Sequence, residues 1–181
     1  MLAEPIALLI DHAFLEKKAA NNAMELMTQW PNDWFPGWVE TMTGVARDEA
    51  AHLAQVARLL IRRGGRLGRI HKNPYANALR ALVRKGEREE IVDRLFVSAL
   101  IELRSCERFA VLAEASEDEE LARFYGALFT SELGHYKLFL RLAHKIGPKA
   151  AVDERWDKML AAEARILAEQ APGPRIHSGS G

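Results

Sequence analysis

Ala46-Arg47-Asp48-Glu49-Ala50-Ala51-His52-Leu53-Ala54-Gln55-Val56 carries the reading of the whole chain. Its apolar residues recur every three to four positions, the period of a helix with one buried face. Counting three, four and seven residues from Glu49 gives Met42, Val45, Ala46, His52, Leu53 and Val56, an apolar stripe with a carboxylate at its centre. A buried carboxylate without compensation costs several kcal/mol or takes up a proton. His52, three residues on, leaves the helix on the same face and reaches the same place.

Three more glutamates have such surroundings. Glu16 lies among Leu9, His12, Ala13, Ala19, Ala20 and Ala23, and Glu102 among Leu95, Ser98, Ala99, Ser105, Cys106 and Phe109. Glu132 lies among Tyr125, Leu128, Phe129, His135, Tyr136 and Phe139, and Glu132-Leu133-Gly134-His135 repeats the Glu-x-x-His spacing. Glu25, set among Asn21, Asn22, Thr28 and Gln29, shows what an ordinary surface glutamate looks like. Glu16 precedes Glu49 by 33 residues and Glu102 precedes Glu132 by 30, so the two halves share one helix-hairpin geometry.

Four acids on inner faces need a shared cation. A metal pair held by one glutamate from each of two helices and a Glu-x-x-His pair from each of the other two is a known ligand set of helical bundles. The expected ligands are Glu16, Glu49, His52, Glu102, Glu132 and His135. Mixed carboxylate and imidazole donors suit iron or manganese, and the lone Cys106 cannot build a sulfur site. The metal-free alternative is a set of buried Glu–His hydrogen bonds. Glu107 competes with Glu102 but lies about 140° around the helix and within pairing distance of Arg104. His12 reads more simply as a core histidine than as a residue orienting Glu16. Cys106, Phe109, Tyr125 and Tyr136 either line a pocket over the metals or only pack, and Trp30, Trp34 and Trp38 read as loop anchors in preference to a base-stacking platform.

Outward from these motifs the period stays helical. Helices are expected over about Glu4–Gln29, Gly37–Arg63, Tyr75–Lys85, Glu87–Ala115, from Ser116-Glu117-Asp118 to Ile146, and Ala150–Gln170. Gly64-Gly65 and Gly147-Pro148 supply stop signals. Short links follow the first and third long helices and a long one joins the second to the third. The predicted class is all-α, a ferritin-like four-helix bundle with one long crossover and additional flanking helices. Residues 1–171 are expected to form that domain and 172–181 a tail.

The 181 residues carry 25 Lys and Arg against 25 Asp and Glu, yet the balance is uneven. Between Arg58 and Arg88 ten basic residues face one acid, Glu87, so the rest of the chain is correspondingly acidic. Such a stretch is either a solvated face or a surface for a polyanion, bound more weakly as salt rises. A hydrophobic share of 49% excludes a disordered chain, and a single cysteine excludes a disulfide framework and fits a reducing compartment. No window reaches the roughly 18 apolar residues of a membrane span, and the first ten residues lack the basic start of a signal peptide. A cytoplasmic protein is expected.

Five stretches taken together resemble a known family. They are Leu9-Ile10-Asp11-His12-Ala13 with Glu16-Lys17-Lys18-Ala19-Ala20; Ala46 to Val56; Ile101-Glu102-Leu103-Arg104-Ser105-Cys106-Glu107-Arg108-Phe109-Ala110; Ser131-Glu132-Leu133-Gly134-His135-Tyr136; and Pro174-Arg175-Ile176-His177-Ser178-Gly179. In that order they are similar to the tRNA 2-methylthio-isopentenyl-adenosine hydroxylases. The resemblance implies a ferritin-like fold in which two non-haem irons and O2 hydroxylate the isopentenyl group of the modified adenosine beside the anticodon. It implies the same six ligands, a tRNA substrate and an external electron donor, a reductase or ferredoxin-type protein. A tRNA substrate gives the basic stretch a purpose, with Arg62, Arg63, Arg66, Arg69 and Lys72 as candidate phosphate contacts. Two other readings remain open. One is a ferritin-like or rubrerythrin-like protein that oxidises iron or reduces peroxide without RNA; the other is a metal-free helical RNA-binding module.

Overall fold

The computed structural model describes residues 1–29 and 36–179. It contains α1 (Pro5–Met27), α2 (Trp38–Arg62), α3 (Pro74–Arg80), α4 (Glu87–Ala115), α5 (Glu119–Ile146) and α6 (Lys149–Ala168), with no strand among the described residues. Trp30 and Trp34 lie outside the described residues. The chain forms two compact units, residues 1–72 with 173–176, and residues 73–172 with the chain from His177 onward.

The first unit is the α1–α2 hairpin. Pro5 opens α1, where its missing N–H and fixed φ cost nothing. The indole of buried Trp38, at the start of α2, donates to the Leu26 carbonyl near the end of α1 at 3.0 Å. At the opposite end the turn after α2 comes so close to α1 that a Cβ on Gly65 would meet Ile6 and Leu60. The helices are therefore antiparallel. Gly64, at φ +78°, takes the left-handed conformation that ends α2, and its N–H and that of Gly65 bond the Ile61 and Leu60 carbonyls. The inner face is built from Leu8, Leu9, Ala13, Ala20, Ala23 and Leu26 on α1 against Met42, Val45, Val56, Leu59 and Leu60 on α2.

The second unit is built on the α4–α5 hairpin, with α3 and α6 against it. The Cys106 thiol lies over the Phe129 carbonyl while Gly126 meets Ala113, a pairing that runs in opposite directions along the two helices. Asp118 caps α5, accepting from the Glu120 and Leu121 amides at 3.0 and 3.1 Å, so the expected start at Ser116-Glu117-Asp118 resolves to its third residue. Asn73 caps α3 in the same way through the Ala76 amide. This helix ends at Arg80, five residues short of expectation. The physical reason is Asp93, whose carboxylate takes the Arg84 backbone amide at 2.9 Å and draws the chain out of helical register.

The tail does not project into solvent: Ile176, His177 and Ser178 are all buried. In the second unit, Arg108 donates to the Ser178 carbonyl at 2.8 Å, and His177 contacts Ser105 and Asn73. Gly179 ends this anchored stretch where a Cβ would collide with the Gln170 carbonyl oxygen. Backbone cannot yield as a side chain can, so Gly179→Ala is expected to cost about 1–3 kcal/mol. Urea unfolding of the two proteins measures it, and equal midpoints would show that the tail is not closed there.

Candidate metal centre

In the first unit, α1 presents Glu16 and α2 presents Glu49 and His52, all buried. Each offers one ligand atom within 4.8 Å of the others. His52 Nδ1 stands 3.6 Å from Glu16 Oε2 and 3.7 Å from Glu49 Oε2. Those separations are too long for hydrogen bonds. They leave room for an ion between the donors, since metal–donor bonds near 2.1 Å set neighbouring donors roughly 3–4 Å apart. Glu16 Oε2 is buried with no hydrogen-bond partner among the described residues. The donor set fits a carboxylate- and imidazole-ligated metal such as iron.

His12, one turn before Glu16, does more than pack: its Nε2 is hydrogen-bonded to Glu16 Oε1 at 2.5 Å. Burial pushes the Glu16 carboxyl up. The charge and hydrogen bond of His12, with help from His52, outweigh burial and hold it well below the usual carboxylate range. Glu16 is thus an anion with one oxygen fixed and the other available.

In the second unit, α5 presents Glu132 and His135, both buried, with Glu132 Oε2 3.1 Å from His135 Nδ1. Glu102 is buried on α4, one turn before Ser105 and Cys106. Burial, and then the charge of Glu132, push the Cys106 thiol up to about 12. It stays protonated at neutral pH. Glu107 is at the surface, paired with Arg104. Buried Phe109 and Tyr125 pack against each other with ring centroids 5.3 Å apart, and Tyr136 lies 6.3 Å from Trp156. In the first unit, Arg62 closes α2, Arg63 follows it, and Arg66, Arg69 and Lys72 are exposed on the non-helical segment beyond.

Sequence reasoning passed over Glu163, a further buried glutamate on α6. Its neighbours one turn away, Met159, Leu160, Ile166 and Leu167, are as apolar as those of the expected ligands. Its compensation is internal to the second unit. Arg104 donates to both carboxylate oxygens at 3.0 and 2.9 Å, and the Tyr75 hydroxyl donates at 2.8 Å. Burial and the adjacent Glu163 charge push the Tyr75 hydroxyl far up, so it remains a donor.

Two helix hairpins, each with a buried Glu-x-x-His pair and a second buried glutamate, define a ferritin-like carboxylate–histidine protein. The fold class is all-α, the ferritin-like bundle with a long crossover and flanking helices. A solved structure described as Protein 43 with aldehyde deformylating oxygenase activity, from Synechococcus, superposes with a TM-score of 0.91 and 36% identity, covering 98% of this chain and 89% of that one. The family model described as tRNA-(MS[2]IO[6]A)-hydroxylase (MiaE) matches residues 3–178, and the chain belongs to that family. A relative from Pseudomonas putida named tRNA 2-(methylsulfanyl)-N(6)-isopentenyladenosine(37) hydroxylase is 42% identical over 178 residues, 98% of this chain and 85% of the relative. One of the same name from Salmonella typhimurium is 32% identical over 169 residues, 93% of this chain but only 61% of the relative's length.

Proposed function

We propose that the chain is an O2-dependent non-haem di-iron monooxygenase that hydroxylates the isopentenyl group of 2-methylthio-isopentenyl-adenosine next to the anticodon in tRNA. The observation that carries this reading is the convergence of Glu16, Glu49 and His52 in the interior of a chain that belongs to the hydroxylase family. Glu102, Glu132 and His135 complete the ligand set for two irons. Bound there, the irons supply reduction of O2 and oxidation of an unactivated C–H bond.

The protein's share is to hold and orient. Glu16 and Glu49 offer carboxyl oxygens in a site that burial keeps from bulk water. His12 fixes one Glu16 oxygen, leaving the other toward His52. The overall reaction keeps one oxygen atom in the product and reduces the other to water, which takes two electrons and two protons. The electrons come from an external donor, a reductase or ferredoxin-type protein. Arg62, Arg63, Arg66, Arg69 and Lys72 contact tRNA phosphates. No described helix is long and apolar enough to cross a membrane, and a tRNA substrate places the enzyme in the cytoplasm.

The test is incubation of iron-loaded protein with prenylated tRNA, O2 and reductant, followed by nucleoside mass spectrometry. A gain of one oxygen atom that disappears without O2 is expected. No gain, with iron oxidation or peroxide reduction proceeding in the absence of RNA, leaves the ferritin-like or rubrerythrin-like reading ahead. Because His12 orients a ligand, His12→Ala is expected to weaken iron affinity by about 10–100-fold. Chelator competition measures this, and unchanged affinity would return His12 to a packing role.

A further inference from the structure

The segment from Arg66 to Lys72 turns its basic side chains to solvent but is not loosely attached. His71 is buried to nine-tenths and fixed on three sides within the first unit. Its Nε2–H donates to Asp11 Oδ1 at 2.7 Å, and Lys18 Nζ donates to its Nδ1 at 2.9 Å. Its ring lies flat on Phe14, with centroids 5.0 Å apart and planes 4° from parallel. Asp11 is itself buried and uses its second oxygen to accept from the Ile176 amide at 2.9 Å. Folding has thus already ordered the segment, and a partner binding there meets a smaller entropic cost.

What the anchored segment displays is chemically mixed. Arg66, Arg69 and Lys72 are exposed and have no carboxylate partner among the described residues. Leu67 is exposed beside them, and Ile70, between Arg69 and the anchor, is 83% exposed. Cations call for phosphates, while an isoleucine held out in water calls for an apolar face at the same place. Duplex RNA offers phosphates but keeps its base faces stacked; a single-stranded loop offers both phosphates and unstacked bases. Apolar side chains serve nucleic-acid binding proteins as wedges against bases.

We propose that residues 66–72 form a preorganised clasp for a single-stranded RNA loop. Arg66, Arg69 and Lys72 contact its phosphates, Ile70 packs on an unstacked base, and His71 is the positioning residue that holds the clasp in shape. This rests on the tRNA reading above and adds to it the apolar contact and the residue that positions it.

Binding of the iron-loaded full chain to an RNA hairpin and to a blunt duplex of equal phosphate count, followed by fluorescence anisotropy over a salt series, separates the parts. Arg66→Ala, Arg69→Ala and Lys72→Ala each lower the salt slope by about 0.7–0.9. Ile70→Ala weakens hairpin binding by about 5–10-fold, as loss of a base contact does, and leaves duplex binding and the salt slope unchanged. His71→Ala weakens hairpin binding by a similar factor, with KM for tRNA rising, kcat and iron content held, and His71→Gln recovering part of the loss. If the three charge variants together bind RNA like wild type, the tRNA reading of this segment fails. If they weaken binding while Ile70→Ala and His71→Ala do not, the clasp fails and the basic surface stands. Should His71→Ala not fold, Ile70→Ala alone decides, because its side chain supports nothing in the interior. Loss by Ile70→Ala of binding to anionic lipid vesicles, with hairpin binding intact, assigns the segment to a membrane surface and overturns the proposal.

Discussion

Glu49→Ala protein is expected to retain about half or less of the wild-type iron and to hydroxylate tRNA at least about 100-fold more slowly. Glu49 is 1% exposed, and its Oε2 shares the neighbourhood of His52 Nδ1 with Glu16 Oε2. Removing it takes away one of the three donors proposed for the first unit, Glu16, Glu49 and His52. Exchanging a partner that merely orients a ligand costs 10–100-fold in affinity or activity, so loss of a ligand sits at or beyond that limit. Glu107→Ala is the control. Its carboxylate is half exposed and pairs with Arg104 at the surface, where such pairs contribute little, so iron and rate should be near wild type. Metal analysis of the purified proteins and nucleoside mass spectrometry read both quantities. Full iron in Glu49→Ala would remove Glu49 from the ligand set, and with it the argument that buried carboxylates here exist for a metal.

The buried carboxylates were legible in the sequence because their pattern is local. A stripe of apolar residues three and four positions from a glutamate needs only helix geometry to be read, and the Glu-x-x-His spacing puts both side chains on one face. The stops at Gly64-Gly65 and Gly147-Pro148 and the start near Asp118 are local for the same reason. Glu163 shows where a local pattern stops being sufficient. It sits on its stripe as the expected ligands sit on theirs, and only a partner 59 residues away, Arg104, shows that its compensation is a guanidinium. The Asp11–His71 bond spans 60 residues and the Asp11–Ile176 bond spans 165, which is why neither the anchored basic segment nor the buried tail was expected. Local periodicity identifies a buried acid; what neutralises it is a tertiary fact.

Asp93 is such a fact, and it carries the largest stability effect expected of the second unit. Its side chain is fully buried at the start of α4 and accepts five hydrogen bonds: three from Arg84, through its backbone amide, Nε and Nη2, and two from Arg155, through Nε and Nη2, all between 2.8 and 3.0 Å. Arg155 also donates to the Leu82 carbonyl at 2.7 Å, so one aspartate joins α4, α6 and the turn after α3. Breaking a buried pair costs about 3–5 kcal/mol, because the surviving charge keeps its desolvation penalty. Arg84 can turn toward water, which places Asp93→Ala near the lower end, about 3 kcal/mol. Against a total stability of about 5–15 kcal/mol this is a large fraction. The pH dependence gives a second readout. Burial pushes the Asp93 carboxyl up, but the bonds from Arg84 and Arg155 outweigh burial and hold it below the usual range. The folded protein therefore releases this proton more readily than the unfolded chain, whose aspartate titrates at about 3.9. The stabilisation is complete above that pH and is lost as pH falls from there toward the folded value. Urea unfolding should show wild type and Asp93→Ala separated by a constant gap from pH 5 to 8 (roughly the range in which unfolded aspartate is ionised), and a gap that narrows below pH 4 or so. A gap that stays constant into acid would mean that Asp93 holds the unit together through packing, with the two arginines only neighbours.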